Sequence, residues 1–209
     1  ARDVLVLGPL CGAADPADPF AALPRGALIG TASTRRQAQL LHVRPDLRTT
    51  VLRGNVQTRL DKIAAGACDA SVLALAGLRR LGLEARATLV LDPDIMVPSA
   101  GQGIIGVTVR ADDGELRALL GGIEDKEARV VSTAERALLA ALDGSCRTPI
   151  GAYARLLPGG ELHLTGLVAR PDGSFLLRRA LTGRASEAAQ IGAALGASLK
   201  ADSPSDVFG

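Results

Sequence analysis

Residues 30–36 read Gly-Thr-Ala-Ser-Thr-Arg-Arg, and residues 52–60 read Leu-Arg-Gly-Asn-Val-Gln-Thr-Arg-Leu. Each stretch follows a short apolar run and leads into a helical pattern, so each predicts a strand that passes directly into a helix. Ser33 and Asn55 are the expected helix caps. Strands that alternate with helices in this way favour a parallel α/β sheet. The predicted elements of this part are strands at 4–7, 28–29, 49–52 and 70–73 and helices at 34–43 and 56–65.

The remainder of the chain predicts a crossover and then a small α+β domain. A turn at 98–103 precedes the apolar run 104–109, which has the pattern of a strand. The last third contains three strand-like runs that are joined by Pro-Gly and Pro-Asp-Gly turns, which predicts the three-stranded sheet of a small α+β domain. The predicted elements here are strands at 104–109, 150–157, 161–169 and 174–182 and helices at 112–120, 125–142 and 185–200.

Arginines lie where the first two helices should begin. Arg35 and Arg36 fall in the first turn of one helix, and Arg53 precedes the cap of the other, with Arg59 four residues beyond that cap. A helix start carries partial positive charge, so cations there are mildly repelled unless an anion lies between them. Ligands of open α/β sheets also gather at the carboxyl ends of strands. We therefore expect an anion site, with the Ser33 hydroxyl as a neutral donor.

The alternative interpretation of the same arginines is a solvated helix face. Arg79 and Arg80 illustrate it, because each can be a functional group or an ordinary surface cation. The carboxylates of the chain occur mostly around helix starts, where they favour the helix dipole. None of them stands out as a general acid or base.

Composition limits the function classes. The 209 residues carry a formal charge of +2, with one tyrosine, three phenylalanines and no tryptophan. A single-strand nucleic-acid binder needs stacking surface and basic excess, so that class is disfavoured. No apolar window is long enough for a membrane span, and the three widely spaced cysteines fit a reducing compartment, so we expect a cytoplasmic protein. Two isolated histidines make a metal site unexpected.

Cys146 is the cysteine with an unusual setting. It lies in Gly144-Ser145-Cys146-Arg147, between the helix 125–142 and the strand 150–157. Most lone cysteines are small buried hydrophobes. The neighbouring arginine would nevertheless favour a thiolate and covalent chemistry, so both interpretations stay open from the residues alone.

Taken together, five segments resemble the porphobilinogen deaminase family, also called hydroxymethylbilane synthases, from end to end. The resemblance implies a transferase of tetrapyrrole biosynthesis that joins four porphobilinogen molecules head to tail, releasing ammonia, to give hydroxymethylbilane. It also implies a parallel or mixed sheet domain like that of periplasmic binding proteins. The segments are residues 30–37, 52–60, 76–82, 98–103 and 144–151.

The resemblance also assigns roles to residues. Cys146 matches the cysteine that holds a dipyrromethane cofactor through a thioether. The pyrroles carry acetate and propionate groups, which arginines bind in bidentate fashion. The positions implied for the cofactor are Thr31, Ser33, Arg35, Arg36, Arg53, Gly54 and Asn55, and those implied for the substrate are Arg59, Arg80 and Gln102.

The domain division follows from the same likeness. We expect residues 1–6 to end a first domain, 7–96 to form the second, 97–122 to return to the first and 123–209 to form the third. The family's catalytic Asp matches no residue of this sequence, so we expect these 209 residues to be inactive alone and to expose apolar surface. A monomer is expected for the full-length family. The alternatives are a non-catalytic anion-binding α/β module and, less favoured, an arginine-based nucleic-acid binder.

Overall fold

The computed structural model describes residues 1–143 and 148–208. Its first part is a five-stranded sheet in the order β3-β2-β4-β1-β5. The strands are β1 (Asp3–Leu7), β2 (Leu28–Gly30), β3 (Arg48–Thr50), β4 (Ala70–Ala74) and β5 (Leu89–Leu91), and the helices are α1 (Thr34–Val43), α2 (Val56–Ala64) and α3 (Leu75–Arg80), with a single 3-10 turn at Glu84–Arg86.

The sheet is mixed, which agrees with the parallel or mixed sheet domain predicted from the sequence, although the alternation of strands and helices alone favours parallel strands. Strands β2, β3 and β4 are parallel, but β1 runs antiparallel to both of its neighbours, β4 and β5. Residues 8–27 contain no helix, so the chain leaves β1 and enters β2 at the same edge of the sheet. A connection between two parallel strands must cross to the other edge of the sheet, usually through a helix. A connection that returns at the same edge, as between β1 and β2, leaves the two strands pointing in opposite directions.

Alternation along β1 explains how both faces of this sheet are covered. Leu5 packs with Ile29 and Leu40 of α1 on one face. Val4 and Val6 point to the other face, where they join the cluster that contains Leu60 of α2. Because successive side chains of a strand point to opposite sides, an apolar strand of this kind is buried on both faces.

The predicted strand at 104–109 is wrong. Residues 104–110 form neither strand nor helix, and Ile105 and Val107 are 79% and 63% exposed. Apolar alternation gives a segment strand propensity, but a strand forms only where another strand offers backbone partners. Within the described residues, the five-stranded sheet ends at β3 and β5 instead.

The second part contains the predicted three-stranded sheet, and its strands are antiparallel. Helices α5 and α6 pack against each other and against this sheet, where Leu138, Leu164 and Leu195 form the core. Its elements, with α4 before them, are α4 (Gly114–Gly121), α5 (Lys126–Leu142), β6 (Ile150–Leu157), β7 (Glu161–Ala169), β8 (Leu176–Arg184) and α6 (Ala188–Ala201), with 3-10 turns at Ala185–Glu187 and Ser205–Val207.

Among the described helices, none is both long and apolar enough to cross a lipid bilayer.

Candidate functional site: an arginine-rich sheet edge

The predicted site residues gather at one edge of the five-stranded sheet. The loops after β2 and β3 and the helix after β4 all leave the carboxyl ends of parallel strands, so they emerge on the same side. The backbone N–H of Thr31 donates to Thr50 O at 2.9 Å, which joins the first two loops. β1 starts at this edge, because Asp3 pairs with Ala74 at the end of β4.

The first loop caps α1 as the sequence predicts. The Ser33 hydroxyl accepts a long hydrogen bond of 3.4 Å from the backbone N–H of Arg36, and the Thr31 hydroxyl accepts one of 3.1 Å from the backbone N–H of Ser33. Thr31 is buried, whereas Ser33 is half-buried. The loop thus holds two hydroxyls beside the start of a ten-residue helix.

The anion beside the paired arginines is a residue of the chain itself. Asp3 is fully buried, and its two oxygens accept from Arg35 Nη2 at 2.9 Å and from Arg36 Nη2 at 2.7 Å. Sequence reasoning missed Asp3. The available signal was a lone carboxylate at the start of the buried apolar run Val4–Leu7, a place where an ionised group needs a partner.

The environment keeps this carboxylate ionised. Burial opposes the charge of Asp3, but the attraction and hydrogen bonds of Arg35 and Arg36 outweigh it and hold the pKa of the carboxyl below its usual value. Burial lowers the pKa of Arg35, with Asp3 opposing that shift. Arginine is not deprotonated in proteins, so the guanidinium stays charged at neutral pH.

Gln102 belongs to the same network. Its amide nitrogen donates to Asp3 Oδ1 at 2.9 Å and to Arg2 O at 3.1 Å, and its amide oxygen accepts from Arg35 Nη2 at 3.3 Å. The guanidinium of Arg35 also donates to the carbonyl of Val97. The network therefore links β1, the start of α1 and the 97–103 segment.

The second loop and the helix after it carry one exposed arginine, Arg53, and one half-buried arginine, Arg59. Asn55 caps α2 and accepts from the backbone N–H and the hydroxyl of Thr58 at 2.8 and 2.9 Å. Gly54 has φ of +127°, and a Cβ there would lie 2.9 Å from the Thr58 side chain, so only glycine fits. Arg59 Nε donates to Gly54 O at 2.8 Å, while Arg53 is exposed.

The arginines of α3, the helix that follows β4, are weaker evidence for an anion site. Arg79 and Arg80 are exposed in the last turn of α3, where the helix dipole favours cations without any ligand. The structure therefore leaves Arg80 compatible with both interpretations. Its helix still leaves the same sheet edge as the other two loops.

One nitrogen at this edge is buried without a partner. Arg36 is mostly buried, with 11% of its side chain exposed, and its Nε has no hydrogen-bond partner among the described residues. Buried guanidinium N–H groups are almost always paired, because an unpaired one loses its hydration without compensation. An acceptor from a ligand would satisfy it.

Cys146, the predicted cofactor residue, lies outside the described residues. The start of the strand that follows it is described, and Ala152 N donates to Pro98 O at 2.9 Å. Pro98 adjoins Val97, whose carbonyl accepts from Arg35. Burial raises the thiol pKa of the other two cysteines, Cys11 and Cys68, which disfavours a reactive thiolate at either.

Comparison with known proteins decides the family. The family model described as "Porphobilinogen deaminase, dipyromethane cofactor binding domain" matches residues 1–118, and the one described as "Porphobilinogen deaminase, C-terminal domain" matches residues 129–201. The chain belongs to the porphobilinogen deaminase family. The family prediction is thus confirmed, and the expected cofactor class agrees with the description of the first domain.

Individual members of the porphobilinogen deaminase family support this. The protein of Sorangium cellulosum is 52% identical over 185 residues, covering 87% of this chain and 61% of the relative. That of Roseiflexus castenholzii is 50% identical over 198 residues, covering 95% and 62%. That of Nitrobacter hamburgensis is 50% identical over 171 residues, covering 82% and 54%. The chain spans between 54% and 62% of the length of these relatives.

Proposed function

We propose that the chain forms the carboxylate-binding part of a hydroxymethylbilane synthase. This transferase condenses four porphobilinogen molecules stepwise onto a cysteine-linked dipyrromethane, releasing ammonia and then hydroxymethylbilane, in tetrapyrrole and heme biosynthesis. The supporting observation is that arginine-bearing segments follow three parallel strands at one sheet edge, where Arg36 Nε is buried and unpaired within the described residues.

The donor set fits a dipyrromethane. When bound, this group supplies the covalently held pyrrole chain on which the product is built, and each pyrrole carries an acetate and a propionate. Arginine forks bind such carboxylates with about 1.5–3 kcal/mol for each charge-assisted bond. We assign the thioether to Cys146 and the cofactor contacts to the following residues: Thr31, Ser33, Arg35, Arg36, Arg53, Gly54 and Asn55.

Substrate carboxylates fall to the remaining donors. Arg59 lies on α2 and Arg80 in the last turn of α3, the helices that follow β3 and β4, and the Gln102 amide lies beside Asp3. Arg59 already donates through Nε to Gly54 O, so its terminal nitrogens are the ones that would bind substrate. We propose that these residues bind and orient porphobilinogen without transferring protons.

We also propose that these 209 residues do not turn over porphobilinogen alone. The carboxylate among the arginines, Asp3, is bound to two guanidinium groups and its pKa is held low, so it is a poor proton donor near neutral pH. The expected division at 1–6, 7–96, 97–122 and 123–209, the periplasmic-binding-protein-like arrangement, a cytoplasmic location and a monomeric full-length protein complete the proposal.

Mass spectrometry of the Cys146 peptide tests the proposal. The chain is produced together with the N-terminal part of a full-length relative, and a mass increase of two pyrroles on that peptide is expected, with Cys146→Ser and the Cys68 peptide as controls. An unmodified Cys146 would instead favour the anion-binding module. Steady-state porphobilinogen consumption by the chain alone would contradict the proposed inactivity.

A further inference from the structure

Asp3 is the residue at this edge whose presence is unexpected for an anion site. It places a buried negative charge directly between the two arginines that lead α1. A neighbouring carboxylate lowers the attraction of a cationic site for an anionic ligand. Its contribution to such a site must therefore be something other than charge.

The contacts of the two arginines differ. Arg35 is 5% exposed and directs its terminal nitrogens inward, to Asp3, to Gln102 and to the carbonyl of Val97. Arg36 meets Asp3 through Nη2, while its Nε is buried and unpaired among the described residues. One carboxylate thus contacts both guanidinium groups and leaves Arg36 Nε without a partner among the described residues.

The carboxylate itself is fixed from a third side. Gln102 Nε2 donates to the same Oδ1 that Arg36 contacts, and the backbone of Asp3 is held in β1, between β4 and β5. Recognition of a ligand needs groups that are held within roughly half an ångström of the required position. Asp3 meets that requirement for Arg36 because its carboxylate is itself held by Arg35, by Gln102 and by the backbone of β1.

We propose that Asp3 is a positioning residue of the carboxylate site and sets the orientation of Arg36 toward the ligand. The inference rests on the proposed function of this sheet edge as a carboxylate site. Asp3 acts through Arg36 and contacts no ligand itself.

Charge and position make opposite predictions for substitution of Asp3. Asp3→Asn raises the charge of the site by one, so simple attraction predicts tighter binding of an anion. Loss of the fixed orientation predicts weaker binding. Asp3→Glu keeps the charge but moves the carboxylate by one methylene, so attraction predicts no change and positioning again predicts weaker binding.

The experiment is a calorimetric titration of the full chain with tricarballylate, a three-carboxylate probe, at a temperature where circular dichroism shows each variant folded. We expect both Asp3→Asn and Asp3→Glu to weaken binding by about tenfold or more, the scale of one lost charge-assisted hydrogen bond. Asp46→Asn breaks the ion pair with Arg44, 2.7 Å long, and serves as a control with wild-type affinity.

Unchanged or tighter binding in either folded variant overturns the proposal, as does a wild-type chain that does not bind the probe. If both variants fail to fold, the wild-type chain decides by nitrogen-15 NMR. The Nε–H signal of Arg36, assigned by its loss in Arg36→Lys, should exchange slowly and shift on addition of tricarballylate. Exchange as fast as that of exposed Arg53, or no shift, overturns the proposal.

The two proposals fail separately. An unmodified Cys146 with tricarballylate binding that depends on Asp3 removes the synthase assignment and keeps the positioning role. A two-pyrrole adduct on Cys146, with tricarballylate binding that is insensitive to Asp3 substitution, keeps the synthase assignment and removes the positioning role.

Discussion

At the scale of single residues, Glu135 shows how one buried side chain fastens two parts of the chain. It is 3% exposed, and its carboxylate oxygens accept from the backbone N–H of Gly101 at 2.6 Å and of Ala154 at 2.8 Å. It lies on α5, whereas its partners belong to the 98–103 turn and to β6. Removing it would leave two N–H groups without acceptors.

We expect Glu135→Ala to lower the free energy of unfolding by about 2–4 kcal/mol, since each unsatisfied buried N–H costs about 1–3 kcal/mol. Urea unfolding followed by circular dichroism measures this. Arg136→Ala changes the next residue, which is exposed, and should shift stability by less than about 0.5 kcal/mol. Equal effects of the two substitutions would contradict the assigned role.

Glu135 also predicts a pH dependence. Burial raises the pKa of its carboxyl, and the two backbone hydrogen bonds oppose the rise only in part. A raised pKa in the folded state gives stability that is fully present below the unfolded pKa and is lost as pH rises through the folded pKa. The stability difference between the wild-type chain and Glu135→Ala should therefore shrink as the pH rises from about 4 toward about 8. The range begins near the ordinary pKa of a glutamate side chain and extends upward, because the pKa of Glu135 is raised.

The measurement is urea unfolding of both proteins across that range. Shifts from other groups, including the lowered pKa of Asp3, are common to both proteins and cancel in the difference. A difference that grows with pH would show that the carboxylate is preferentially ionised in the folded chain, which is the opposite of the expectation.

At the scale of elements, the sequence predicted local features well and long-range pairings poorly. The caps Ser33 and Asn55 were predictable because capping depends on residues three positions apart. The pairing of Asp3 with Arg35 spans 32 residues and depends on the antiparallel direction of β1, which no local pattern encodes. The prediction of a strand at 104–109 was wrong for the same reason, because a strand forms only where a neighbouring strand supplies backbone hydrogen bonds.

The two caps should differ in strength. Asn55 accepts two hydrogen bonds, of 2.8 and 2.9 Å, from Thr58, whereas the bond that Ser33 accepts is 3.4 Å long. We expect Asn55→Ala to cost about 1 kcal/mol or more and Ser33→Ala clearly less. Thermal unfolding of the single variants tests this, with Asn55→Asp as the cap-preserving control. A larger loss for Ser33→Ala would contradict the ranking.

At the scale of the whole molecule, the two sheets are joined through α1. Ala38 packs with Val97 and with Leu167 of β7. The turn between β7 and β8 also reaches this helix, since His42 Nδ1 lies 2.9 Å from Gly173 O and Gln37 donates to Pro171 O at 3.0 Å. The second sheet thus contacts the helix that begins with the paired arginines along its length, from Gln37 to His42.

Gly173 makes the closest backbone approach between the β7–β8 turn and α1. Its φ is +75°, and a Cβ there would lie 2.5 Å from the backbone nitrogen of His42. Gly160, in the turn between β6 and β7, has a similar φ of +78° but open space around it. The two glycines share backbone strain and differ in the contact, which makes them a matched pair.

We expect Gly160→Ala to cost about 1–2 kcal/mol, the left-handed strain alone, and Gly173→Ala to cost about 1–3 kcal/mol more because the turn must move off α1. Hydrogen exchange should separate them further, with faster exchange in α1 for Gly173→Ala only. Equal stability and equal exchange in the two variants would mean that the turn does not hold α1. Because α1 also carries Arg35 and Arg36, a loosened joint should weaken tricarballylate binding in Gly173→Ala while Gly160→Ala binds as the wild-type chain does.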